Sequence, residues 1–152
     1  MADLISTRAC IVTCLSTPAV LDDLGPSALR IAPDEAILVD APNGSEQVIS
    51  QATEALTAHD PHAIVVDTTD AWEGLTLAGN GARDLFAHLS PLELPAEGWI
   101  QGDVGRLAAK VIVEPGDRIT IFVPSPQAAY LRNRIVSLGA TERREPEPWS
   151  AS

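Results

Sequence analysis

The feature that most constrains this chain is a near-repeat of its own pattern. Shifted by 82 residues, "LRIAPDEAILVDAPNGSEQVISQATEAL" (residues 29–56) lies over "VIVEPGDRITIFVPSPQAAYLRNRIVSL" (residues 111–138) without a gap. Pro33 falls on Pro115, Ile37 on Ile119, Pro42 on Pro124 and Leu56 on Leu138. Ile31, Val39 and Ile49 fall on the apolar residues Val113, Ile121 and Leu131. Each copy reads as strand, tight turn, strand, Pro, helix, so the chain reads as a duplicated α+β unit. Residues 1–140 are expected to form one domain containing this pseudo-repeat. The final stretch, 141–152, "TERREPEPWSAS", is charged and interrupted by Pro, and is expected to be disordered.

The same comparison settles the acidic pair Asp34–Glu35. It follows Pro33 between two apolar segments, as Gly116–Asp117 follows Pro115 in the second copy. Pro fixes φ, and Asp or Gly suits the next positions of a tight turn. Paired catalytic carboxylates need one group shielded from water, and a hairpin tip offers the opposite.

Around the repeat, "ACIVTCL" reads as a strand. Ala63–Thr68, "AIVVDT", reads as a buried strand, and Trp72–Leu77 as an alternating one. Gly44–Ala58 is predicted to be an amphipathic helix capped by Asn43 or Ser45, burying Val48, Ile49, Ala52, Ala55 and Leu56. A second helix is predicted over Ala82–Leu89 after the Gly79–Gly81 turn, and a strand region over Ile100–Val113. A third helix is predicted to follow Pro124 and run to about Leu138, with Ser125 as its cap and Gly139 as its stop.

Composition excludes several function classes. Ten Lys and Arg stand against 21 Asp and Glu, a formal charge of −11, with no uninterrupted basic cluster. Nucleic acid and anionic membranes are therefore unexpected partners, and a basic protein face is a suitable one. Cys10 and Cys14 lie four apart on one strand, roughly 13 Å, too far for a disulfide. They are expected as buried reduced thiols. His59 and His62 in "HDPH" lack a third ligand, so no metal site is expected. "GNGARD" lacks both the Lys-Ser/Thr ending of a phosphate loop and the third Gly of a dinucleotide fingerprint. No Gly-x-Ser-x-Gly elbow accompanies Ser125 or His88. With neither a leader-like N-terminus nor an apolar run of about 20 residues, the expectation is a cytoplasmic, soluble protein.

Four stretches together, "IAPDEAILVDAP", "AIVVDTTDAWEGLTLAGNGARDLFAHLSPLEL", "WIQGDVGRLAAKVIV" and "DRITIFVPSPQAAYLRNRI", resemble the gamma subunit of heterotetrameric sarcosine oxidase. That family is related to the folate-binding domain of the glycine-cleavage T-protein, aminomethyltransferase. The resemblance spans Leu29 to Leu138, and is carried best by Pro33-Asp34-Glu35 and by the run Val66, Asp67, Trp72, Leu77, Gly79, Arg83, Leu89. It implies a folate-binding-domain-like α+β fold of two intertwined β-β-α-containing halves. It also implies an accessory subunit without catalytic residues of its own, supporting assembly or stability of a heteromeric flavin-dependent sarcosine or amine oxidase, with the flavin (FAD or FMN) in larger partner subunits.

The alternative is a stand-alone folate-binding one-carbon protein. For it the pterin candidates are Asp67, Asp70 and Trp72, although Ser90-Pro91-Leu92-Glu93-Leu94 lacks the polar Asn-Asp motif that folate-using relatives carry after this helix. A small interaction module unrelated to oxidases is a third reading. If exposed, Trp99 and Trp149 are the best partner-interface anchors, because Trp is enriched at hot spots.

Overall fold

The computed structural model describes residues 1–150. The chain divides into two compact units rather than the single domain expected. One comprises Met1–Arg8 with Asp70–Glu147; the other comprises Ala9–Thr69 with residues 148–150. Each unit has its own sheet and its own apolar core.

In the second of these units the strands are β2 (Cys10–Leu15), β3 (Leu29–Ala32), β4 (Glu35–Asp40) and β5 (Ile64–Asp67), following β1 (Asp3–Arg8) in chain order. They form a sheet in the order β3-β4-β2-β5. Pro33 and Asp34 are the β3–β4 hairpin tip, whereas Glu35 opens β4 and pairs with Leu15 and Ala32, so of the acidic pair only Asp34 lies in the turn. A short helix α1 (Pro18–Leu21) and a 3₁₀ turn (Asp22–Leu24) precede β3, where no element was expected. The helix α2 (Ser45–Thr57) buries Val48, Ala52 and Leu56, spaced four apart, against Cys10, Val12, Cys14 and Ala36. Covering each such aliphatic side chain is worth about 1.5–3 kcal/mol. Neither Asn43 nor Ser45 caps α2: Gly44 holds the N-cap position and no side chain bonds there.

The other unit holds β6 (Trp72–Ala78), α3 (Ala82–Leu89), β7 (Gly98–Val104), β8 (Leu107–Glu114), β9 (Arg118–Pro124) and α4 (Ala128–Ser137). Two short strands end the chain, β10 (Thr141–Glu142) and β11 (Glu147–Pro148). The sheet order is β10-β1-β6-β9-β8-β7, with β11 also paired to β1. Leu85, Phe86 and Leu89 of α3 and Leu131 and Ile135 of α4 pack with Leu75, Leu77, Val111, Ile119 and Ile121 from the sheet. The opposite sheet face carries a line of buried hydroxyls, Thr7, Thr76 and Thr120.

Three local expectations are corrected. The region read as one strand over Ile100–Val113 is two strands, because Gly105 and Arg106 both take positive φ (59° and 71°) and close a two-residue hairpin. Ser125 does not cap α4; a 3₁₀ turn (Ser125–Gln127) precedes the helix, and the Ser125 hydroxyl donates instead to the Asp70 carbonyl at 2.8 Å. The segment expected to be disordered is tied down where it is described. Thr141 and Glu142 pair in parallel with Asp3 and Leu4, Arg143 salt-bridges Asp3 at 2.6 Å, and Glu147 salt-bridges Arg118 at 2.8 Å. Residues 151–152 of that segment lie outside the described residues.

The repeat is present with a different offset. Glu35 opens β4 as Arg118 opens β9, and Ser45 opens α2 as Ala128 opens α4. Leu29 pairs with Ile37 as Ile112 pairs with Thr120, and Arg30 with Ala36 as Val113 with Ile119. The equivalent positions are therefore 83 apart, not 82. The faces agree only at 83: Ala36 of β4 shares one core with Val48 and Ala52 of α2, as Ile119 of β9 shares the other with Leu131 and Ile135 of α4.

Candidate functional site

Asp67 ends β5 in one compact unit; Asp70 and Trp72 belong to the other. The Asp67 carboxylate is exposed and accepts the backbone N–H of Thr69 at 3.0 Å. Bonds from the Thr69 side chain and backbone, the largest influences, hold it below the usual carboxylate range. Asp70 is exposed in the 3₁₀ turn Thr69–Ala71, and its carbonyl, not its carboxylate, makes the bond to Ser125. Trp72 is half-buried at the start of β6, with the Lys110 ammonium 5.8 Å from its ring centroid, a cation–π contact. A carboxylate that grips a pterin must face it in a pocket that excludes water. Two exposed carboxylates, one committed to its own turn, and a ring engaged by a lysine do not meet that requirement.

A groove of about 300 Å³ in the Ala9–Thr69 unit went unnoticed in the sequence. Leu24, Leu38, Val48 and Ala52 line it, with the carboxylates of Asp23 and Asp40 at its polar side. Asp40 bonds the Ala41 N–H at 2.7 Å. No basic side chain lines this groove, so the phosphate or glutamate tail of a cofactor would find no counter-charge there. Its signal in the sequence was the pair of small residues Ala52 and Ala55 on α2, which leave room beside β4.

Cys10 and Cys14 are free and buried beside Val12. Burial pushes the Cys14 thiol up to about 11 and, with nearby Asp40, raises that of Cys10. Neither is a poised nucleophile. His59 and His62 are exposed, and among the described residues no group of three or more His, Cys, Asp or Glu could hold a metal. No helix among the described residues is long and apolar enough to cross a membrane.

The two Trp interface candidates part company. Trp149 is only 8% exposed, so it is packed rather than offered to a partner. Trp99 is half-buried on β7, opposite Ile112. Large apolar residues face water at Met1, at Tyr130, Val136 and Leu138 on and just after α4, and on β5, which was expected to be buried. Ile64 is 49% exposed and Val66 47%, with Leu15 of β2 directly opposite Ile64 in the ladder. The sequence shows only a continuous apolar run, which fits a strand covered on both faces as well as an edge strand open on one.

No protein-family model matches the chain, and no curated protein matches it in sequence. Solved structures do match. A chain of the heterotetrameric sarcosine oxidase from Corynebacterium sp. U-96 superposes with a TM-score of 0.74 at 15% identity, covering 93% of this chain and 87% of that one. Aminomethyltransferase T of the glycine cleavage system from Bartonella henselae superposes with a TM-score of 0.64 at 15% identity, covering 89% of this chain but 45% of that one. The chain thus spans about half of the aminomethyltransferase and nearly all of the oxidase chain. Its fold is the mixed α+β, folate-binding-like fold that these two proteins share.

Proposed function

We propose that this chain is a non-catalytic, gamma-type accessory subunit of a heteromeric flavin-dependent sarcosine or related amine oxidase, and that it supports assembly or stability of the complex. The observation that carries this reading is the mutual coverage of the oxidase match: 93% of this chain against 87% of a chain that works inside a heterotetramer. Two features support the same reading. The two carboxylates nominated for pterin binding, Asp67 and Asp70, are exposed, and the surface carries a charge of −11 that suits a basic face on a larger subunit. The flavin then resides in the partner subunits, and this chain contributes surface rather than chemistry.

The test is purification of the tagged chain from its native host at low salt, followed by subunit composition and an absorption spectrum. A yellow assembly containing larger flavoprotein chains at fixed stoichiometry supports the proposal. A colourless chain recovered alone refutes it. Stoichiometric tetrahydrofolate retained by that lone chain would establish the one-carbon reading instead.

A further inference from the structure

Strand β5 is an edge of the four-stranded sheet, paired only with β2. Its ladder fixes which backbone groups face outward. The Thr68 N–H donates to the Ile11 carbonyl at 2.8 Å, just beyond the Val12–Asp67 pair. In an antiparallel ladder bonded and non-bonded pairs alternate, so Ile64 and Val66 bond inward to β2. Val65 and Asp67 point their N–H and C=O groups away from the sheet. Ile64 and Val66, the two most exposed apolar side chains of the sheet, share the face that Leu15 occupies. The edge carries no Lys, Pro or bulge; it is four residues long and its one charge is Asp67 at the end, an acidic guard that turns away an acidic strand and not a basic one.

The other unit shows what the same edge accepts. In its sheet, β8, β9, β6 and β1 occupy the places of β3, β4, β2 and β5. Leu15 pairs with Ile64 as Ala78 pairs with Asp3, so Ile64 corresponds to Asp3 and Val65 to Leu4. There the edge is not left open. Thr141 and Glu142 add as a parallel strand opposite Asp3 and Leu4, and the Arg143 N–H donates to the Leu4 carbonyl at 2.8 Å. The added strand also brings a guanidinium to a neighbouring carboxylate, Arg143 to Asp3.

We infer that the free edge of β5 receives an extended segment of a larger oxidase subunit as a fifth strand, with apolar residues over Ile64 and Val66 and a Lys or Arg beside Asp67. This rests on the accessory-subunit reading and names the place and chemistry of its docking. Charge selects the occupant. A second copy of this chain would bring its own Asp60 and Asp67 to the edge, and with a charge of −11 on each copy the pairing is repulsive. A basic strand is attracted.

The experiment compares hydrogen exchange of the peptide spanning residues 60–68 in the free chain and in the complex purified from the native host. The amides of Val65 and Asp67 exchange fast in the free chain, and the complex slows them by about a hundredfold, as for other bonded strands. Ile64→Thr with Val66→Thr, both at exposed positions, weakens retention of the larger subunits by about tenfold or more while the free chain melts normally. Val65→Pro removes only an outward N–H and acts in the same direction. An intact complex in which Val65 and Asp67 exchange as in the free chain overturns the inference and leaves the accessory reading standing. Absence of any complex removes both. A free chain that sediments as a dimer and becomes monomeric on Val65→Pro also overturns it, because the occupant is then a second copy.

Discussion

Replacing Thr76 with Val tests the line of hydroxyls in the larger sheet. Thr76 on β6 stands between Thr7 on β1 at 2.5 Å and Thr120 on β9 at 2.8 Å, and all three are buried. A hydroxyl donates once and accepts, so Thr76 is the only member of the line bonded on both sides. Valine keeps the shape but removes both bonds, leaving the Thr7 and Thr120 hydroxyls without these partners. Each buried group so stranded costs about 1–3 kcal/mol, offset in part by burial of the new methyl. The expected net loss is about 2 kcal/mol, or roughly 4–8 °C in Tm for a chain of this length. Urea unfolding followed by circular dichroism and Trp fluorescence measures it, the two signals together showing whether the compact units unfold in one step. The decisive comparison is the triple variant Thr7→Val, Thr76→Val, Thr120→Val. It strands nothing, so it should lose less than the single variant. A Thr76→Val change within about 0.5 kcal/mol of wild type, or a triple variant near three times the single, would refute the reasoning.

Other perturbations probe different terms. A Cβ on Gly74 would sit 2.7 Å from the Thr7 carbonyl oxygen and 3.0 Å from the Phe122 ring, so Gly74→Ala should cost about 1–3 kcal/mol in the same urea assay. Cys14 should resist a thiol reagent at pH 8 in the folded chain and react in denaturant. Because folding raises this thiol from 9.0 to about 11, the native state keeps a proton that the unfolded chain releases. Stability should therefore fall as pH rises from about 9 towards about 11, and Cys14→Ala should flatten that slope. The Ser16 hydroxyl donates to Asp60 at 2.6 Å, the first of the bonds that hold this carboxyl below 3.8. Its contribution is present above 3.8 and fades as pH falls through the lower folded value, so Ser16→Ala should move the Asp60 midpoint upward in a carboxyl NMR titration.

The sequence made the elements around the repeat legible because strong local signals agree there. Pro33 and Asp34 form a turn, α2 has the spacing of an amphipathic helix, and the two cysteines share a buried strand face. The tail was misjudged because its order does not come from apolar burial. It comes from two-residue pairing with β1 and from Arg143 and Glu147 reaching Asp3 and Arg118, none of which a composition argument can see. The surface on β5 was hidden for a related reason: "IVV" reads as core whether or not anything covers it. Burial of Trp149 shows the converse, a large residue in a polar tail that packs.

The offset of the repeat shows how a one-residue error survives good agreement. Pro33 on Pro115 and Ile37 on Ile119 are true identities, yet they join non-equivalent positions. In the first copy a register shift between Arg30 and Ala32 precedes a two-residue tip; in the second β8 runs without a shift to a three-residue tip, Pro115-Gly116-Asp117. A slip of one turns every side chain of a strand to the opposite face. Such an error is normally exposed by polar residues landing in the core. Here β9 is buried on both faces and β4 carries apolar residues on both, so either parity looks acceptable. Only the pairing separates them. The equivalences that follow from the correct offset, Val65 with Leu4 and Ile64 with Asp3, then connect the closed edge of one sheet to the open edge of the other. The same backbone places in two copies of one unit meet opposite ends: a strand from the chain's own tail occupies one, and among the described residues no strand occupies the other.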